Sequence, residues 1–549
     1  MTQNKRKMEI EDLRVMYDLS IYNCLHFDPY TALIYEDTQR QETREYTNIE
    51  IAREATQLAA GLRALGIEKG DRVIVIMLNC PEVIIAYQAI SRAGAIIIPV
   101  MPLLKAPEVH YIAHNSSAKA IITSPILLPL LHAALAGVPT MRYIIATGDE
   151  GVGHHSGRED GRDESRPYKV ISYKDVGTRF IASAPTPAPD DYLGDLEGVN
   201  LTPDDTAVIL YTSGTTGNPK GVELTQRNVI SNTVAGRGND AIVEQETNVQ
   251  LAILPLAHAF GLTVSNVGYL SGTQFIMHPR FDTGAVLSAI ERHHVNAFAG
   301  VPAMFVALLY TPDADKYDTS SLRYCVSGSA PLPLAVLEGF QKKFGCQILE
   351  GYGLSEATTV LTGHNLNMPV KPGSVGKPVA GVELRIVDED DRDVPVGEVG
   401  EIIARGPNIM KGYYNMPEAT ATTLRNGWLH TGDMGKFDED GYLSIVERKK
   451  DLIIRGGFNI YPRDVEEVLN SHPAVIESAV IGVPSERMGE EVKAFVVKRG
   501  EVDAETLKAY CREKLANYKT PGEIEFVDLL PRNGVGKIDK KELRKHHVN

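Results

Sequence analysis

Residues 211–221 read Tyr-Thr-Ser-Gly-Thr-Thr-Gly-Asn-Pro-Lys-Gly. The hydroxyls of Thr212, Ser213, Thr215 and Thr216 can donate hydrogen bonds, and Lys220 supplies positive charge. Gly214 and Gly217 allow the backbone to approach an anion closely. The apolar run Ala207–Tyr211 predicts a buried strand before this loop, and a helix is predicted from Leu224 with Thr225 near its start. A strand, a glycine-rich turn and a helix together suit phosphate. Lys220 follows Pro219 and precedes Gly221, so the loop is not G-x-x-x-x-G-K-[ST]. An ordinary P-loop nucleotidase is disfavoured.

Five further motifs occur in order along the chain: LPLAHAFG at 254–261, GYGLSEA at 351–357, WLHTGD at 428–433, ERKKDLIIRGGFNIYP at 447–462 and PRNGVGKIDK at 531–540. With the loop they resemble the signature motifs of adenylate-forming (AMP-binding) enzymes, in particular acyl-CoA synthetases that act on fatty or cyclic acids. The resemblance spans roughly 50 to 545. It implies that a carboxylic acid is activated with ATP to an acyl-adenylate and passed to CoA, releasing AMP and pyrophosphate. Covalent activation of this kind splits one hard step into two easier ones.

The resemblance also implies roles for individual residues. Thr212, Ser213, Gly214, Thr215, Thr216, Gly217 and Lys220 would cradle the departing pyrophosphate. Gly351, Tyr352 and Gly353 would flank adenine, Ser355 would bond phosphate and Glu356 would hold Mg²⁺. Asp433 would take the ribose hydroxyls, with Arg448 as a second nucleotide contact. His258 would lie beside the acyl carboxylate, and Lys537 would reach in during adenylation. Lys450 falls at the family's hinge, and Gly456 and Gly457 match glycines of the pantetheine tunnel. Phe260, Gly261, Val264, Val301, Pro302, Gly328, Ser329 and Ala330 would line the acyl pocket. These pocket segments carry no Asp, Glu, Lys or Arg, so a neutral hydrophobic acid is expected. The rival reading is an adenylation enzyme that loads an amino acid onto a carrier protein. Residues 257–261 lack the aspartate such enzymes use for the α-ammonium.

Several elements must position these groups. Helices are predicted at 50–64, 81–92 and 106–114, alternating with strands at 72–76, 95–100 and 119–123, which is the pattern of parallel βαβ units. A second α/β segment is expected over 205–370 and a glycine-rich β-barrel over 371–446. Elements at 463–470, 477–482, 492–498 and 503–516 predict a compact α+β domain. The expected class is α/β: an N-terminal domain of two doubly wound subdomains plus a small barrel, then a mobile α+β domain. The expected divisions are 1–449 (with subdomains 1–195, 196–370 and 371–449) and 450–549. Residues 148–166 are polar without periodicity and read as a mobile surface loop.

At 549 residues the chain exceeds one core. Its composition, 43% apolar and 23% charged, is that of a soluble globular protein. A net charge of −15 argues against nucleic acid as a partner, so anionic substrates must meet local positive charge. The five cysteines are scattered and read as free thiols in a reducing cytoplasm. No secretory segment, membrane span or C-terminal address is read. Monomer and homodimer both remain open.

Overall fold

The computed structural model describes residues 8–148, 168–178, 196, 199–212, 218–239, 248–485, 487–533 and 537–545. Ser213, Gly214, Thr215, Thr216 and Gly217 lie outside the described residues, as does nearly all of the polar stretch 148–166. Three sheets build the N-terminal part and a fourth builds a separate C-terminal α+β domain.

The expected βαβ pattern is present. The helix Asn48–Ala64 opens on a capping box: the Thr47 side chain accepts from the Glu50 amide, and the Glu50 carboxylate accepts from Thr47 N–H. Arg72–Ile76, Ile96–Val100 and Ala120–Thr123 are parallel neighbours. The helix Pro81–Arg92 carries proline in its first turn, where a missing N–H costs nothing. Val73, Ile74, Val75 and Ile76 are buried on both faces, as a sheet covered by helices on each side requires.

The strands do not sort by the expected segments. The eight-stranded sheet takes Thr206–Thr212 and Lys220–Thr225 beside Ile96–Val100. The nine-stranded sheet takes Thr31–Asp37 and Glu42–Thr47 from the far N-terminus, beside Gln274–Met277. A division near 195 therefore cuts through both sheets. The chain also leaves the loop as a strand before it becomes a helix. Val222 and Leu224 alternate inward while Glu223 faces out, and Lys220–Thr225 pairs antiparallel with Thr206–Thr212. The helix Gln226–Asn239 begins one residue after Thr225, whose Oγ1 accepts from Asn228 N–H.

The expected barrel is a five-stranded antiparallel sheet. Gly400–Arg405 joins Glu383–Val387 to Trp428–Phe437, and Leu424–Arg425 and Leu443–Arg448 also pair with Trp428–Phe437. No pairing among the described residues closes it into a ring. In the C-terminal domain the long antiparallel pair Val475–Ser485 and Gly489–Lys498 packs on the helix Pro462–Asn470, with Val465, Leu469, Val480 and Val492 in its core.

Candidate active site

Five elements converge on one cavity of about 760 Å³. The hairpin 206–225 contributes Thr212 and Lys220, the helix Ala259–Leu270 contributes Phe260 and Val264, and the strand Gln347–Tyr352 with its adjoining turn contributes Gly351 to Glu356. The five-stranded sheet adds Asp433 and Arg448, and the C-terminal domain adds Lys537. Motifs more than 300 residues apart in sequence thus share one wall.

His258 is the N-cap of the helix Ala259–Leu270, and its Nδ1 accepts from Phe260 N–H at 3.2 Å. A backbone N–H can only donate, so Nδ1 is unprotonated and the proton sits on Nε2. Burial, then the nearby Lys537 cation, push the imidazole down to about 4. His258 is therefore neutral near pH 7 and offers an Nε2–H donor beside the positive end of a helix.

Asp433 is 5% exposed. Tyr352 donates its hydroxyl to Asp433 Oδ2 at 2.7 Å, and Arg448 Nε lies 3.3 Å from Oδ1. Both sit on paired strands, with Asp433 directly opposite Arg448. The Asp433 charge raises the Arg448 pKa further. Glu356 Oε1 accepts from the Tyr413 hydroxyl at 2.9 Å, and the Lys220 ammonium stands 4.6 Å from the Tyr413 ring centroid. Tyr413 is thus a bridge that sequence reasoning missed. It arrives because Gly412–Tyr413 pairs with Glu223 and Val222.

Gly353 has a strict steric reason: a Cβ there would meet the Thr359 carbonyl oxygen at 1.3 Å. Thr358 and Thr359 themselves hold positive φ, 55° and 103°. For β-branched residues that is strained backbone, the kind that concentrates at functional sites.

The Lys537 loop is anchored by exchange of backbone and side-chain bonds with Asn533: Asn533 N–H donates to Lys537 O at 2.9 Å, and Lys537 N–H donates to Asn533 Oδ1 at 3.1 Å. The domain carrying it meets the five-stranded sheet through two residues: Arg463 donates to Ile445 O at 2.6 Å, and Lys540, paired within its own domain to Glu466 at 2.8 Å, lies 3.8 Å from Glu447. Burial and then Arg448 lower the Lys537 ammonium to about 8. Lys450 also borders the cavity and follows Arg448 by two residues.

Of the expected pocket residues, Phe260, Val264, Gly328 and Ser329 line the cavity, whereas Gly261, Val301, Pro302 and Ala330 do not. A Cβ on Gly261 would meet the Pro255 carbonyl oxygen at 2.2 Å, so this glycine serves helix-to-loop packing. Val301 is buried in a small cluster with Leu254, Phe260 and Ala299, and Pro302 opens the helix Pro302–Leu309. Instead Gly236, Gln250, Val267, Ala297, Tyr324 and Leu349 line the deeper cavity. Gly456 and Gly457 form the turn between Ile453–Arg455 and Phe458–Ile460, with φ of 60° and 84°, and do not border this cavity.

The pattern of the AMP-binding enzyme family matches residues 24–414, and that of the AMP-binding enzyme C-terminal domain matches residues 464–537. The chain belongs to the AMP-binding enzymes, as an ATP-dependent, AMP-forming ligase of the carboxylate–CoA class. It is 38% identical over 515 residues to a long-chain-fatty-acid–CoA ligase of Bacillus subtilis (strain 168), covering 92% of this chain and 91% of that protein. A feruloyl-CoA synthase of an Amycolatopsis species is 38% identical over 503 residues, covering 91% and 93%. Among solved structures, an anthranilate CoA ligase in complex with anthranoyl-AMP superposes with a TM-score of 0.85 at 30% identity, covering 98% of this chain and 99% of that one.

Proposed function

We propose that this ligase converts a neutral, largely hydrophobic carboxylic acid, ATP and CoA into acyl-CoA, AMP and pyrophosphate through an acyl-adenylate. The observation that carries the reading is the single cavity where Lys220, His258, Glu356, Asp433 and Lys537 meet the mouth of an apolar tunnel. Medium- to long-chain fatty acids and cyclic or aromatic acids fit that tunnel, in line with the names of the two relatives.

In the first step a carboxylate oxygen attacks the α-phosphorus and the bond to pyrophosphate breaks. His258 Nε2–H would hold the carboxylate. Lys537 would meet the charge that builds on the α-phosphate, and Lys220 with Thr212 the departing pyrophosphate. Asp433 and Arg448 would orient the ribose. Glu356 offers a carboxylate on the cavity wall, a donor that suits Mg²⁺ completing its shell with phosphate and water oxygens. Bound there, the metal would neutralise phosphate charge. In the second step the CoA sulfur attacks the acyl carbon, the bond to AMP breaks and the thiol proton is lost. For this step the C-terminal domain would turn about Lys450, withdrawing Lys537 and bringing Gly456 and Gly457 to border the pantetheine arm. The phosphoanhydride bond broken in ATP and the thioester bond formed are close in energy content, which makes the overall reaction reversible in principle.

The test is AMP formation with and without CoA across a panel of fatty, aryl, amino and dicarboxylic acids. CoA-dependent AMP release with neutral acids is expected. Preference for amino acids with CoA-independent pyrophosphate release would favour carrier-protein loading and overturn the reading.

A further inference from the structure

Below the nucleotide end, the cavity continues between the helix Ala259–Leu270 and one face of the nine-stranded sheet. Strand register sets its depth. Ala299, Val326 and Leu349 form one row, and Gln250, Ala297 and Tyr324 form the next row down. Tyr324 is in register with Gln347, four residues before Gly351. At about 3.3 Å per strand residue, the Gln250 row lies roughly 13 Å below Gly351.

The upper row is apolar, and the facing helix presents Phe260, Val264 and Val267. Thr263 spends its hydroxyl on Thr359 Oγ1 at 3.0 Å and the Thr358 carbonyl oxygen at 3.3 Å. Glu350 also borders the cavity, but strand alternation puts its side chain on the face of Ile348, beside Arg463 and Glu467, where burial raises it to about 7. Gln250 breaks the apolar pattern. Val249, Leu251 and Ile253 enter the core on the far side of the sheet, leaving Gln250 on the cavity side. It is 6% exposed, and it is not among the sealed, unpaired polar side chains of the described residues, so the exposure its amide keeps is to the cavity that it lines. Buried amides are ordinarily paired, and a group at the far end of the acid can serve as the partner.

We propose that Gln250 is a specificity-determining residue that hydrogen-bonds an uncharged oxygen at the end of the acid remote from its carboxylate. The inference rests on the proposed ligase activity and narrows its substrate class. An amide both donates and accepts, so a hydroxyl, an ether or a carbonyl oxygen satisfies it. Two substrate shapes suit the depth: an ω-hydroxylated chain of medium length, and a ring acid with its oxygen opposite the carboxyl arm. A plain alkyl or aryl end would leave the Gln250 amide buried and unpaired, which is how a polar site rejects an apolar analogue.

The test compares kcat/KM within matched pairs: ω-hydroxydodecanoate against dodecanoate, and para-hydroxycinnamate against cinnamate. The wild type is expected to favour the hydroxylated member of at least one pair by about 10–100-fold, the value of satisfying a buried polar group. Gln250→Met, nearly equal in volume, is expected to bring that ratio to one or below. Each ratio is taken on one enzyme preparation, so a smaller folded fraction in the variant cancels. Equal use of both members by the wild type overturns the assignment and leaves the ligase reading intact. So does a wild-type preference that survives Gln250→Met. An enzyme that forms AMP with neither member of either pair, nor with any acid, overturns both.

Discussion

Replacing Lys537 with alanine is expected to stop one half-reaction and spare the other. Lys537 holds its ammonium in a poorly solvated place, so its pKa falls from 10.5 to about 8. At about 1.4 kcal/mol per pKa unit, burial and Arg448 disfavour the cation by roughly 3 kcal/mol. An α-phosphate bearing developing charge returns what water no longer supplies. Removing one preorganised charged donor of this kind costs on the order of 10²–10³ in rate. Pyrophosphate release on mixing enzyme with acid and ATP should fall by that factor in Lys537→Ala. Thioester formation from supplied acyl-adenylate should stay within about threefold of wild type, because Lys537 has no partner in that step. The pH dependence gives a second handle. The cation is the active form, so raising pH through about 8 removes the proton and the activity together. In the adenylation step, kcat/KM for ATP should drop about tenfold per unit above that value. Lys537→Arg, charged throughout, should lose this alkaline limb. An equal loss in both half-reactions, or an unchanged limb in the arginine variant, would refute the reasoning.

Other perturbations address neighbouring contacts. Gly457→Leu should leave pyrophosphate release and block thioester formation; since φ there is 84°, a melting curve must show the fold intact, and normal CoA kinetics would sink the tunnel role. Tyr413→Phe keeps the ring under Lys220 but removes the hydrogen bond to Glu356, so KM for the magnesium–ATP complex should rise about 5–10-fold with melting temperature nearly unchanged. Gly236→Leu should shorten the tunnel, because a Cβ there already meets Val267 Cγ2 at 2.8 Å; kcat/KM for long acids should fall far more than for short ones, and a uniform loss would argue against it.

Local pattern carried much of the fold. The predicted strand 72–76 is the observed Arg72–Ile76, and the helix 81–92 is Pro81–Arg92. Motif spacing likewise brought Lys220, His258, Glu356, Asp433, Arg448 and Lys537 to one cavity. Pairing between distant strands was not legible, because periodicity tells which face of a strand is apolar and not which strand lies beside it. That is why Tyr413 was missed: its place depends on pairing with Val222, almost 200 residues earlier. The pocket errors have a similar origin. Gly261 and Gly236 look alike as sequence, yet one faces the Pro255 carbonyl and the other borders the tunnel. Gln250 reads as one polar residue in a short strand, and only the register with Ala297 and Tyr324 gives it a depth.

The interleaving of the two large sheets sets an order of assembly during synthesis. Leu33 pairs with Phe275, 242 residues later. At roughly 5–20 residues per second, the ribosome delivers that partner about 12–50 s after the first strand emerges. Until then Thr31–Asp37 has only its hairpin with Glu42–Thr47, and Ala32, Leu33, Ile34 and Tyr35 lack the core that finally buries them. A nascent chain of this protein therefore carries an apolar edge strand for about 12–50 s, and its yield depends on what shields that edge while the rest is being made.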